Sequence, residues 1–261
     1  MRSDLDAIIK TYPKHETINL YAIGDTHVGS AQFNEDAVRK KIQIIKDDPC
    51  GVVSLCGDLA DYGLRNSVSN VYQQTMPPKA QQEYVYELFK PISDKIVSCT
   101  SGNHEERITK EVGTCPMYDL CVLWGIPDVY RENVAILKLV IGKRKNVFIG
   151  ITTHGASKAK HRKFIADWDN IDWAISGHVH QPNYTPHGKL RVDRIHGTVS
   201  HVPYKEIVVD ANLNIGGYGI KKEYEVAPPP ELQYLELSSY RDKDRNRNEH
   251  RIINYHTIQI G

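Results

Sequence analysis

Five apolar runs in this chain stop abruptly on short polar motifs, and that repetition constrains the fold more than any other property of the sequence. The plainest case is Gly51-Val52-Val53-Ser54-Leu55-Cys56, which gives way to Gly57-Asp58-Leu59-Ala60-Asp61. A β-branched run bounded by glycine reads as a buried strand. A carboxylate just beyond it lies at the sheet edge where open α/β sheets place their chemistry. Gly-Asp at a strand end also makes ordinary turns, so the stretch gains meaning only from what else reaches that edge.

Upstream, Thr17 to Ile23 reads as a strand running into Gly24-Asp25-Thr26-His27-Val28-Gly29. In extended chain the period of two puts Asp25 and His27 on one side, able to chelate one ion. Between these two strands, Val38, Ile42, Ile44 and Ile45 have helical spacing and Pro49 ends the segment, which completes a βαβ crossover. A third strand, Lys95 to Thr100, delivers Ser101-Gly102-Asn103-His104-Glu105-Glu106 at the start of a helix. A hairpin, Val134 to Ile141 and Val147 to Thr153, ends in His154-Gly155, and Ile171 to Ser176 ends in Gly177-His178-Val179-His180. Helices are expected at 79–90 and 115–124.

The irregular stretch 62–78 is long for a compact domain and is expected to overhang this edge, with Tyr62 and Arg65 as substrate contacts. After His154 comes a basic window, Lys158, Lys160, His161, Arg162 and Lys163. It is either a solvated helix face or a phosphate-backbone contact, and Lys158 and Arg162 are its candidate substrate residues.

The flanks carry no such motifs. Residues 3–11 are expected to form a short helix capped by Ser3 and stopped before Pro13. Leu190 to His201, Lys205 to Asp210, Gln233 to Leu237 and Ile252 to Ile260 read as strands, Pro228-Pro229-Pro230 as a stiff spacer, and 241–251 as a mixed-charge turn or tail. One α/β domain over residues 1–261 is expected, with 206–261 a β-rich extension that either pairs with a second subunit, giving a homo-oligomer, or walls the substrate.

Lys plus Arg total 33 against 32 Asp plus Glu, so no global field draws polyanions and any such site must be local. Five cysteines, none in C-x-x-C spacing, imply reduced thiols and no cysteine zinc site. The N-terminus lacks an apolar leader core, and no apolar run approaches the roughly 18 residues of a membrane span, so a cytoplasmic protein without membrane association is expected.

Collected in order, the strand-end groups are Asp25, His27, Asp58, Asn103, His104, His154, His178 and His180, which include five of the twelve histidines. Carboxylate, amide and imidazole donors without thiolate suit divalent manganese first, with iron, zinc or nickel as alternatives. Seven ligands are too many for one ion and fit two ions sharing a carboxylate, the arrangement that clamps both oxygens of an in-line displacement.

Asp-x-His, Gly-Asp, Gly-Asn-His, His-Gly and Gly-His-x-His in this order resemble the calcineurin-like metallophosphoesterases over about residues 18–205. The resemblance implies a four-layer α/β/β/α sandwich with the metal site at strand C-terminal ends. It assigns Asp25, His27, Asp58 and His180 to a first metal and Asp58, Asn103, His154 and His178 to a second. His104 would face the leaving-group oxygen as general acid or charge stabiliser, oriented by Asp61. The protein phosphatases of this family carry arginines where this chain has Tyr62 and Ser101, which argues against that activity. Asp25-Thr26-His27-Val28-Gly29 is similar to the first motif of the double-strand-break repair nucleases, so phosphodiester hydrolysis on DNA or RNA is the expected function. A phosphomonoesterase or small-nucleotide phosphodiesterase and a non-catalytic interaction scaffold are the rivals.

Overall fold

A computed structural model describes residues 3–65, 71–155, 157–216, 228–243 and 249–260. Strands β2 (Thr17–Ile23), β3 (Gly51–Leu55), β4 (Ile96–Thr100) and β5 (Tyr130–Arg131) run parallel, and β11 (Glu231–Lys243) and β12 (Glu249–Gln259) extend this sheet antiparallel in the order β12-β11-β2-β3-β4-β5. Every residue of β3 and β4 is buried, as parallel strands covered on both faces require. A second sheet, in the order β1-β6-β7-β8-β10-β9, joins β1 (Ile8–Tyr12), β6 (Val134–Ile141), β7 (Asn146–Thr153), β8 (Trp173–Ser176), β9 (Asn183–Val192) and β10 (Val199–Val208).

One apolar cluster ties the two sheets together, with Leu20, Val53, Leu137, Phe148, Trp173 and Leu235 among its buried members. Each such side chain contributes about 1.5–3 kcal/mol relative to exposure. Helices α1 (Glu35–Asp47), α2 (Pro78–Phe89) and α4 (Pro116–Leu123) cover the first sheet. α1 starts where the Asn34 side chain accepts from the Ala37 N–H at 3.1 Å, and it buries Val38, Ile42 and Ile45. On the far side, α5 (Lys158–Ala166) packs Ile165 with Val134, Ile151, Ile171, Ala174 and Tyr204 in a separate cluster. The result is an α/β/β/α sandwich.

Three expectations for the flanks fail. Residues 8–12 form a strand and not a helix, because Ile8 to Tyr12 pair in parallel register with Leu137 to Ile141; sheet pairing overrides the helical spacing of the isoleucines. Leu190 to His201 is not one strand but the end of β9, a turn and the start of β10; the Asp193 side chain accepts from the N–H groups of Ile195 and His196 and folds the chain back. Within 241–251, residues 241–243 and 249–251 are paired strand, Arg241 opposite Arg251, and not a tail; residues 244–248 lie outside the described residues. Among the described residues no helix is long and apolar enough to cross a membrane.

Candidate metal centre

All the expected ligands sit beyond the C-terminal ends of parallel strands. Asp25 and His27 follow β2, Asp58 follows β3, and Asn103 with His104 opens α3 (Asn103–Val112) after β4. His154 follows β7, and His178 and His180 follow β8. One sheet therefore supplies the carboxylates, the amide and one ligand histidine, and the other supplies three histidines.

The ligand loops are not extended, which corrects the period-two reading of Asp25 and His27. Both residues are left-handed, at φ 50° and 48°, as are Asp58 at 51°, His178 at 69° and His180 at 59°. Each such residue stores about 1 kcal/mol or more of strain that the surroundings must offset. Cross-loop hydrogen bonds do so: the Asp25 N–H donates to Gly57 O at 3.1 Å and the His27 N–H to Asp58 O at 3.0 Å. Two glycines make room. A Cβ on Gly102 would lie 2.1 Å from Asp58 Oδ1, and one on Gly177 would lie 2.4 Å from Asp25 Oδ2.

At the first position His180 Nε2 is 3.3 Å from Asp25 Oδ1 and 3.1 Å from His27 Nε2, and His27 Nε2 is 3.8 Å from Asp25 Oδ1. At the second, Asn103 Oδ1 is 2.8 Å from His178 Nδ1 and 3.1 Å from His154 Nε2, which is itself 3.1 Å from Asp58 Oδ2. Ligands bound at about 2.1 Å to a tetrahedral or octahedral ion stand roughly 3.0–3.4 Å apart, so four of these six spacings fit two cations directly, and the 2.8 and 3.8 Å pairs need only small side-chain shifts. The orphaned Asp25 Oδ1, buried with no hydrogen-bond partner, points the same way. His154 donates from Nδ1 to Cys56 O at 2.8 Å, which aims the Nε2 lone pair inward. Asp58 lies between the positions. Its Oδ1 accepts the His104 N–H at 2.8 Å, its Oδ2 lies 3.1 Å from His154 Nε2, and it groups with His27 of the first position as well as with His154 and His178 of the second.

Electrostatics follow from this crowding. Burial raises Asp58, but the charges of His154 and His104 outweigh it and hold the carboxyl well below the usual range. Asp61 is lowered in the same way, burial being outweighed by hydrogen bonds from His104 and His27. Burial lowers His154, yet the Asp58 carboxylate pushes it up to about 10. His104 also ends raised: burial opposes, while Asp58 and Asp61 favour its cation. Burial and the nearby His104 charge lower His27.

His104 donates from Nδ1 to Asp61 O at 2.6 Å, and its Nε2 lies 3.6 Å from Asp58 Oδ2. Asp61 Oδ1 stands 3.3 Å from His104 Nδ1 and 3.4 Å from His27 Nδ1, so this acid braces a ligand as well as His104. Behind it, Gln74 donates to Asp61 Oδ2 at 2.6 Å and accepts from Gln81 at 2.9 Å, so the stretch expected to overhang the site reaches it at Gln74; its residues 66–70 lie outside the described residues.

Glu105 was not evident from the sequence. Its buried carboxylate accepts from the N–H groups of Asp58, Leu59 and Gly102 at 2.9, 2.9 and 2.8 Å, fastening two ligand loops together. The signal was present: a glutamate three residues after Gly102 occupies the capping-box position. Arg107, one turn along α3 from Asn103, is the other omission.

Tyr62, expected as a substrate contact, is 2 % exposed; its N–H donates to Gln81 of α2 at 2.8 Å, and its hydroxyl is buried without a hydrogen-bond partner among the described residues. Arg65 and Arg162 are exposed and make no hydrogen bond or ion pair with the ligand cluster among the described residues. Lys158 begins α5, but its side chain lies outside the described residues. Within the basic window His161 turns inward to a buried position.

A family model described as calcineurin-like phosphoesterase matches residues 18–182. Comparison with curated proteins gives no match. Among solved structures, Vps29 of Chaetomium thermophilum is similar at 9% identity and a TM-score of 0.42, over 93% of this chain and 97% of that one. GAP50, the anchor in the inner membrane complex of Plasmodium, is similar at 9% identity and a TM-score of 0.45, over 93% of this chain and 88% of that one.

Proposed function

The chain belongs to the calcineurin-like phosphoesterase family, and on that premise we propose that it is a two-metal phosphodiesterase acting on nucleic acid. The observation that carries this reading is the convergence of oxygen and nitrogen donors from five strand ends at spacings of 2.8–3.8 Å, with His104 held beside them. Two divalent cations, manganese first, held by Asp25, His27, Asp58 and His180 and by Asp58, Asn103, His154 and His178, would supply Lewis-acid charge and activate water for in-line attack.

The remaining work falls to side chains. Asp61 fixes the His104 ring through Nδ1 and leaves Nε2 facing the cluster. Burial opposes, but Asp58 and Asp61 favour the protonated ring, which suits it to carry a proton. His104 gives it to the departing oxygen as the phosphorus–oxygen bond breaks, and recovers one from water afterwards. The exposed Lys160, Arg162 and Lys163 on α5, just beyond His154, support a polyanionic substrate. All five cysteines are free thiols, which supports a cytoplasmic setting.

Manganese-loaded protein is expected to hydrolyse bis-p-nitrophenyl phosphate and DNA faster than p-nitrophenyl phosphate. His104→Ala is expected to lose about 10²–10⁴ of the diester rate, and Asp58→Ala nearly all of it together with metal content. A faster monoester rate would overturn the diesterase reading. Loaded protein that cleaves neither ester would overturn the enzyme reading and favour a scaffold.

A further inference from the structure

Arg107 lies one helical turn beyond Asn103 and His104, on the face of α3 that looks over the site. Its guanidinium spans the His104 ring: Nη1 is 3.1 Å from Nδ1 and Nη2 is 3.0 Å from Nε2, while Nη1 also reaches Asp61 O at 3.4 Å. Because the ring already donates from Nδ1 to Asp61 O, Nη1 only lies alongside that nitrogen. Nη2 is the informative atom. It lies 3.0 Å from Nε2, the ring nitrogen 3.6 Å from Asp58 Oδ2, which places a permanent cation at the edge of the ligand cluster.

We propose that Arg107 is a phosphoryl-binding residue, whose guanidinium, set beside His104, donates to an oxygen of the phosphoryl group on its leaving-group side. The inference rests on the phosphodiesterase reading above and adds to it the group that recognises the anion. Guanidinium suits the task because its charge is permanent and its donors form a rigid fork matched to phosphate. Arg107 sits where charge develops as the ester bond lengthens, so it acts on the transition state more than on ground-state binding.

The test titrates inorganic phosphate calorimetrically into manganese-reconstituted wild type, Arg107→Ala, Arg107→Lys and Arg107→Gln, and measures bis-p-nitrophenyl phosphate kinetics with the same preparations. Arg107→Ala is expected to weaken phosphate binding about tenfold and to lower kcat/KM about 10²-fold, mostly in kcat, with metal content unchanged. Arg107→Lys should recover only part of either loss, since it keeps the charge and not the fork, whereas added guanidinium should rescue Arg107→Ala and not Arg107→Lys. Arg107→Gln serves if the alanine variant fails to fold. Phosphate affinity and kcat/KM within threefold of wild type in the folded variants would overturn the proposal, as would a metal-loaded wild type that binds no phosphate. If wild type binds phosphate but cleaves no ester, the diesterase reading falls, while the affinity difference between wild type and Arg107→Ala still decides the role of Arg107.

Discussion

Removing the Glu105 carboxylate should loosen two ligand loops at once, and the size of the effect can be worked from its hydrogen bonds. Oε2 accepts from Asp58 N–H at 2.9 Å and Gly102 N–H at 2.8 Å, and Oε1 accepts from Leu59 N–H at 2.9 Å. All three donors belong to buried residues. A glutamine placed with its carbonyl at the Oε2 position keeps two of these bonds and turns an NH2 toward the third donor. One orphaned N–H costs about 1–3 kcal/mol, so Glu105→Gln should lose about that much. Alanine orphans all three and should lose at least about 3 kcal/mol, a large share of a typical total of about 5–15 kcal/mol. Burial and the nearby Asp58 charge raise the Glu105 pKa, so removing the charge recovers part of the loss and places glutamine toward the lower end. Urea unfolding of metal-free protein gives the stability change from the midpoint at constant slope. Calorimetric manganese binding reports the loop, and a tenfold or greater loss at the Asp58 position is expected. A glutamine variant within about 0.5 kcal/mol of wild type and an alanine variant within about 1 kcal/mol would refute the reasoning.

Metal uptake should depend steeply on pH. His154 is pushed up to about 10 in the metal-free fold, so its proton stabilises that fold fully below about 6.5 and the contribution fades as pH rises toward 10. A cation needs the same lone pair, so affinity at the second position should rise about tenfold per pH unit below 10, with about one proton or more released at pH 7.5; calorimetry in buffers of different ionisation enthalpy counts it, and zero release would contradict the assignment. Gly102→Ala should abolish metal binding, since its Cβ would sit 2.1 Å from Asp58 Oδ1; retained stoichiometric manganese would show that the loop can yield. Tyr62→Phe removes a buried hydroxyl without a partner and should leave diester KM unchanged and stability equal or slightly higher, whereas a raised KM would restore Tyr62 to the substrate site.

The convergence of the strand-end donors was legible because each buried strand announces its end with glycine or a small polar residue, and only a handful of side chains follow before the next element. Strand order in the first sheet was legible as far as the βαβ unit carries it, from β2 through α1 to β3. What the local pattern could not carry was set by packing at long range. Ile8 and Ile9 suit a helix or a strand equally, and β6, more than a hundred residues later, decides. Tyr62 follows Asp61 in a polar loop, and nothing local says that Gln81, on a helix later in the chain, takes its N–H in a buried position. Glu105 hid because its cap partner Gly102 has no side chain to complete the familiar capping sequence. The left-handed ligand residues were invisible because aspartate and histidine tolerate that conformation without requiring it.

The division of donors between the sheets has a mechanical consequence. Asp25 and His27 face His180 across the interface at one position, and Asp58 and Asn103 face His154 and His178 at the other, so each cation would act as a rivet joining two halves that also meet through apolar packing and through hydrogen bonds such as His178 N–H to Asp25 Oδ2 and Asn146 Nδ2 to Ser238 O. Pulling the halves apart then means breaking coordination bonds before the apolar layer parts. The gain would appear chiefly as slower unfolding, and a chelator would shorten the lifetime of the fold well before it erased its equilibrium stability.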